Sequence, residues 1–168
     1  HQAQFIGCHQ PQFVERIEML DKAAPGAVFL LNTAHPVTTV WDELPRRMQE
    51  QIIEKKIRFY CIDAYAVAQQ ANMGKRINTI MQTCFFAISG VLPREQAIAS
   101  IKEAVQNTYG IKGQSIVDFN FRAIDSTLAS LHEVPVPSKA TSTFERPPLV
   151  DAGAPDFISR FTARLIAG

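Results

Sequence analysis

Cysteine is scarce in this chain. Cys8, Cys61 and Cys84 are an odd number, far apart, and each sits among apolar neighbours. That distribution argues against a disulfide framework or a metal knuckle. An iron–sulfur cluster normally takes four thiolates, so the expectation is three buried, reduced thiols packed as small hydrophobes. Charge of one sign is lacking too: 17 basic and 16 acidic side chains nearly cancel. A nucleic-acid or membrane-surface footprint spread over the whole chain is therefore not expected, and any charge recognition must be local. No stretch approaches the roughly 20 apolar residues of a membrane span. No basic region followed by an apolar signal core opens the chain, and the expected location is cytoplasmic. Also missing are a G-x-S-x-G elbow, a Walker loop, a G-x-G-x-x-G after the first strand and paired histidines at metal spacing. Cys8 and His9 are adjacent, and neighbouring strand residues point to opposite faces. No catalytic acid, base or nucleophile and no metal ligand is assigned.

What is present is one sizeable apolar core, with 46% hydrophobic residues over 168 positions. Phe5-Ile6-Gly7-Cys8, Ala27 to Leu31 and Arg58 to Ile62 are short apolar runs at wide intervals, as in strands of a parallel sheet buried on both faces. Phe13, Val14, Ile17 and Leu20 predict a helix after the first run, with Pro25-Gly26 turning into the second. Leu44, Met48, Ile52 and Ile53 predict a helix before the third. The pattern is β-α-β-α-β, with ligand sites expected near the carboxyl ends of the strands. From Asp63 onward four helices are expected: Ala64 to Ala71, about Arg76 to Ser89, Pro93 to about Tyr109, and Gln114 to about Glu133. Pro93 suits a first turn, and Gly110 suits a helix end. Ile98, Ile101 and Val105, and then Val117, Phe121, Ile124, Leu128 and Leu131, form apolar faces expected to be core. Residues 135–154 are rich in Pro, Ser and Thr and predict an extended linker lying on a surface. Phe157, Ile158, Phe161, Leu165 and Ile166 predict a short docking helix over 155–168. The chain opens at His1 without methionine and enters an apolar run within five residues, as a piece of something longer would.

The most informative segment for function is Asn72 to Pro93, where Gly74, Lys75 and Arg76 precede a helix that is apolar almost all round. Free N–H groups, the helix dipole and two cations converge there, which suits an anion. Gly74 allows close backbone approach, Arg76 offers a forked donor, and Asn78 and Thr79 add neutral donors. The competing reading is a solvated basic helix start. His9 with Gln10, and His35, follow strands at carboxyl ends, where ligand contact competes with a structural role. Asp63 is expected to be an N-cap. Asn120, set between aromatics, either reads a ligand's polar edge or ties helices together. Trp41 and Pro45-Arg46-Arg47 are expected to cover the sheet.

Gly7-Cys8-His9-Gln10, Phe29-Leu30-Leu31-Asn32, Gln51 to Lys56, Phe59 to Ala64, Arg76 to Phe86 and Gly90 to Glu95 closely resemble the gamma-type domain of pyruvate:ferredoxin (flavodoxin) oxidoreductase. The likeness runs from about Gln4 to Pro137. It implies part of a thiamine-diphosphate and iron–sulfur enzyme that decarboxylates pyruvate, reduces ferredoxin or flavodoxin and passes the acetyl group to coenzyme A. In that family the gamma-type domain helps bind coenzyme A, while thiamine diphosphate, Mg and the clusters belong to other domains. The resemblance therefore implies an α/β domain over 1–134, a parallel sheet flanked by helices with its N-terminal part missing. Family members carry a further N-terminal stretch, including a glycine-containing loop of the coenzyme A site. It implies coenzyme A contact by Arg76 and Asn78 first, then Asn120, Lys75 and Thr79. The tail after 134 resembles the segment leading toward a ferredoxin-like domain. Implied partners are the other domains of the same enzyme, ferredoxin or flavodoxin, and a second copy in a homodimer. The alternatives are a non-catalytic interaction module, and the equivalent domain of an enzyme for another 2-oxoacid.

Overall fold

The computed structural model describes residues 1–75 and 77–146. Arg76, the end of the linker and the docking helix expected over 155–168 lie outside the described residues. Four strands form one sheet in the order β1-β2-β3-β4: β1 (Ala3–Cys8), β2 (Ala23–Asn32), β3 (Arg58–Ile62) and β4 (His132–Glu133). The first three are parallel, with Gly7 opposite Leu30 and Leu30 opposite Tyr60. β4 adds antiparallel to the far edge, Cys61 facing His132.

Period-two alternation in the strands sends side chains to two separate cores. Phe29, Leu31, Phe59 and Cys61 pack on one side with Leu44, Met48 and Ile52 of α1 (Arg46–Glu54) and its approach. There the Phe29 and Phe59 rings stack with centroids 5.3 Å apart. Val28, Leu30 and Ile62 pack on the other side with α2 (Ala64–Gln70) and α3 (Asn78–Ile88). Phe5 meets Phe85 of α3 edge to face at 4.8 Å. The antiparallel neighbours α4 (Arg94–Tyr109) and α5 (Gln114–Ser130) complete this second layer. The α/β architecture expected from the sequence is the one found.

Several elements differ from expectation. The β1–β2 connection is not an α-helix but a 3-10 turn over Pro11–Glu15 followed by further turns. Its buried residues, Val14 and Leu20, are six apart, which would place them about 120° apart around a helix. The other two residues of the expected helical face, Phe13 and Ile17, stay largely exposed. Pro25-Gly26 does not precede β2 but lies inside it, where the register slips between Ala3↔Ala23 and Phe5↔Val28. Gly26 takes φ 73 there and donates its N–H to Lys55 O at 2.7 Å. α4 ends at Tyr109 with Gly110 as its C-cap, as expected, but Gly110 does not take a left-handed conformation. It stays right-handed at φ −56 in a 3-10 turn, and Gly113 at φ 114 makes the break that only glycine tolerates. α5 stops at Ser130 and the chain turns extended at Leu131, so Glu133 is strand rather than helix. Buried Val134 continues this path, its N–H bonded to Phe59 O. In α4 only Ala97 is fully buried, and Ile98, Ile101 and Val105 are half-covered rather than core.

The segment after β4 is extended but held. Gln49, fully buried on α1, donates to Trp41 O at 2.7 Å and accepts from Thr141 N at 2.8 Å and Ser142 N at 2.9 Å. Arg46 N then bonds Phe144 O at 2.8 Å, and Arg146 Nε bonds Val14 O at 2.6 Å. Residues 135–146 thus form a strap across α1 toward the β1–β2 connection.

Candidate functional site

The loop between α2 and α3 turns through two left-handed residues, Asn72 at φ 51 and Gly74 at φ 63. The first is uncommon for a residue with a Cβ, and the second is ordinary for glycine. A Cβ on Gly74 would meet nothing within 4 Å, so the space beside it is open. Lys75 is exposed and makes no ion pair among the described residues. α3 begins with Ile77 at its N-cap, where no side chain accepts from the helix, and with no acidic residue in the first turn. Asn78 and Thr79 occupy that turn, both exposed. The positive end of this helix is therefore not neutralised by carboxylates of its own first turn.

Thr79 also lines a groove of about 410 Å³ between α3 and α4, with Thr83, Phe86, Ile101, Val105 and Tyr109. A cationic opening thus leads into an apolar trough. The half-covered aliphatic face of α4 is its far wall. Tyr109 sits at the Thr79 end of the groove, and α5 starts just beyond Gly113, so the beginnings of α3 and α5 share one end of the layer. Asn120 lies on α5 in the turn after buried Val117. Its amide donates to Ile116 O at 2.8 Å, one turn back in its own helix. It does not tie two helices together, and its Oδ1 accepts no hydrogen bond among the described residues.

The carboxyl edge of the sheet is organised by a residue whose role the sequence did not reveal. Asn32 is buried; its Nδ2 donates to His9 O at 2.9 Å and its Oδ1 accepts from Ala64 N at 2.9 Å. One amide therefore joins the ends of β1 and β2 to the start of α2. Asp63 caps α2 as expected, accepting from Ala66 N at 2.9 Å. The only early signal for Asn32 was a polar residue ending an apolar strand. His9 and His35 are both exposed, and His35 Nδ1 stands 3.8 Å from Glu43 Oε1. Thr33, His35, Asp63, Ser130 and His132 border a cavity of about 250 Å³ at this edge.

The three thiols are buried and free. Burial pushes Cys8 up, Cys61 up to about 11 and Cys84 up to about 12, so a thiolate nucleophile is disfavoured at each. Among the described residues no cluster of His, Cys, Asp and Glu is arranged to hold a metal, and no helix is long and apolar enough to cross a membrane.

The chain is similar to known proteins throughout its length. It is 50% identical over 167 residues, 99% of the chain, to pyruvate-flavodoxin oxidoreductase of Rhodospirillum rubrum. It is 40% identical over 167 residues to the probable pyruvate-flavodoxin oxidoreductase of Escherichia coli. Over 159 residues it is 39% identical to pyruvate:ferredoxin oxidoreductase of Moorella thermoacetica. It spans 14% of the length of each of these relatives. Its fold is shared with pyruvate oxidoreductase subunit PORC of Thermotoga maritima, at TM-score 0.60 and 14% identity, over 80% of this chain and 66% of that one. Residues 1–130 match the family described as pyruvate ferredoxin/flavodoxin oxidoreductase, and the chain belongs to that family.

Proposed function

We propose that this chain is the coenzyme A-binding portion of an enzyme that oxidatively decarboxylates pyruvate and delivers electrons to ferredoxin or flavodoxin. In the proposed organisation, residues 1–134 are the gamma-type domain, 135–154 the linker and 155–168 the start of the path toward a ferredoxin-like domain. The observation that carries the reading is the uncompensated basic opening at α3, with Lys75, Asn78 and Thr79 exposed around it and no acidic residue in the helix's first turn. Coenzyme A carries a pyrophosphate and a 3′-phosphate, which are what such an opening attracts. Its apolar arm matches the trough that begins at Thr79.

In this role Arg76 supplies the forked donor, Lys75 a point charge, and Asn78 and Thr79 neutral donors to phosphate oxygens. Asn120 has a free amide oxygen for a polar edge of the ligand. These groups bind and orient, and none transfers a proton in the reaction. Thiamine diphosphate with Mg, and the iron–sulfur clusters, supply the decarboxylation and electron transfer from other domains of the enzyme. This chain has three cysteines, fewer than the four thiolates a cluster normally takes.

The test is Arg76→Ala in the complete enzyme. Losing a charge-assisted contact worth about 1.5–3 kcal/mol raises the KM for coenzyme A by roughly ten-fold to a hundred-fold. The KM for pyruvate stays within about two-fold, because the keto acid binds elsewhere. An unchanged coenzyme A requirement removes the reading and leaves the chain as a non-catalytic interaction module. Comparing pyruvate with longer 2-oxoacids as substrates of the same enzyme separates the remaining alternative, a homologous enzyme for another 2-oxoacid.

A further inference from the structure

The strap ends at an arginine whose hydrogen bonds are incomplete. Arg146 is 8% exposed at its side chain. Its Nε is satisfied by Val14 O. Nη1 stands beside Glu18 Oε1 without a hydrogen-bonding alignment, and Nη2 has no acceptor among the described residues. A buried guanidinium with unused donors is costly, because its five N–H groups cannot all turn to water. Large apolar side chains are exposed nearby, among the charged Glu15, Arg16 and Glu18. Phe13 is 41% exposed and Ile17 47%, one turn apart on the β1–β2 connection that Arg146 grips, and Phe144, two residues before Arg146, is 42% exposed. Exposed apolar side chains thus flank a guanidinium that is ion-paired to Glu18 but keeps unused donors.

We propose that this face is the docking surface for the chain's own continuation, residues 147–168, with carboxylate oxygens of Asp151 or Asp156 completing the Arg146 guanidinium and Phe157, Ile158 and Phe161 covering Phe13 and Ile17. Three observations select this occupant. The described chain ends at the patch, so its next residues start there rather than across the molecule. The spacing allows it: Asp151 is five residues from Arg146 and Phe157 eleven, within a reach of roughly 3.3 Å per residue. The composition is complementary, since Asp151 and Asp156 offer carboxylates for the guanidinium and the apolar run from Phe157 matches the exposed Phe13 and Ile17. The α3–α4 groove is no rival for this segment, because it belongs to the opposite layer of the sheet from the core under the strap.

Docking onto the chain's own surface also gives the strap a second anchor. Gln49 fixes it at Thr141 and Ser142, and the proposed contact fixes it beyond Arg146. The course of the polypeptide toward whatever follows is then set by this domain.

Amide hydrogen exchange in the intact 168-residue chain tests the idea. The peptide covering residues 11–20 is expected to exchange about ten-fold faster in Phe157→Ser/Phe161→Ser than in the unaltered chain, while peptides from α3 and α5 are unchanged. Asp151→Asn/Asp156→Asn is expected to produce a smaller acceleration confined to 11–20 and 144–146. Phe13→Ser/Ile17→Ser, at exposed positions where folding is not at stake, should in turn accelerate exchange in peptides from 155–168. Equal exchange in all four proteins overturns the proposal. So does protection of 11–20 that rises with protein concentration, which identifies a second copy as the occupant. Protection that is present in the complete enzyme and insensitive to Phe157→Ser/Phe161→Ser also overturns it, in favour of a neighbouring domain.

Discussion

Replacing Gln49 by methionine removes the clamp between α1 and the strap while keeping the side chain's length and most of its volume. Four groups depend on this residue: Trp41 O, Thr141 N, Ser142 N and, at a longer 3.4 Å, Thr141 Oγ1. Thr141 is exposed and can turn to water, but Trp41 and Ser142 are buried, 5% and 6% exposed. Trp41 O keeps its bond from Leu44 N at 3.2 Å, so Ser142 N is the buried group left without a partner; that costs about 1–3 kcal/mol and the lost bond to Trp41 O about 1 kcal/mol, so the substitution destabilises by about 3 kcal/mol. For a domain of this size that lowers Tm by about 6–12 °C. Trp41 is the sole tryptophan, and its carbonyl loses the Gln49 donor, so its emission during urea unfolding follows the affected region directly. Gln49→Ala adds a cavity and is expected to be worse. If Gln49→Met unfolds within about 1 kcal/mol of the unaltered chain with the same m-value, the strap is not stabilised by these bonds and the reasoning is wrong.

Asn32→Leu leaves Ala64 N and His9 O without their shared amide and is expected to cost about 2–4 kcal/mol by urea unfolding; a change below 1 kcal/mol would show that the carboxyl edge is held otherwise. Cys84, pushed up to about 12 by burial, ionises in the unfolded chain near its ordinary value of 9.0 but not in the folded one. Unfolded molecules then bind fewer protons, so stability is intact below pH 9 and falls between pH 9 and about 12 by up to about 1.4 kcal/mol per unit. Cys84→Ala should flatten that slope in unfolding measured from pH 8 to 10.5, at some cost in absolute stability. Native Cys84 should also resist alkylation at pH 8 that completes rapidly in urea.

β2 was legible because Ala27 to Leu31 is buried on both faces and so reads as an unbroken apolar run; Arg58 to Ile62 is strand as expected too, while β1, at the sheet edge, is only partly covered. α1 and the helices after Asp63 were legible from their periodicity, α5 to within three residues of its end. The β1–β2 connection was misread because Phe13 and Ile17 have helical spacing yet remain half exposed, and spacing alone does not say which apolar residues find a core. Glu133 was drawn into α5 because two strand residues at a sheet edge leave no periodic trace. The buried amides are the harder loss. Gln49 sits on the stripe of Met48, Ile52 and Ile53, and only the presence of a polar residue on an apolar face marked it. Its partners, some 90 residues away, had no local signature. At the candidate site, the cluster Gly74, Lys75, Asn78 and Thr79 was visible as a composition, while the groove behind Thr79 was not, since it forms only when α4 folds back against α3.

The division of side chains along β2 also bears on how this protein tolerates change. Phe29 and Leu30 are joined by a peptide bond yet answer to different neighbours, the first to α1 and the second to the helices around the basic loop. The sheet works as a septum, and volume lost in one compartment has no direct route to the other. Paired substitutions placed across it, one beneath the strap and one beneath the loop, should come close to simple additivity. Substitutions around the loop could then be made while the opposite compartment supplies the reserve of stability that they consume.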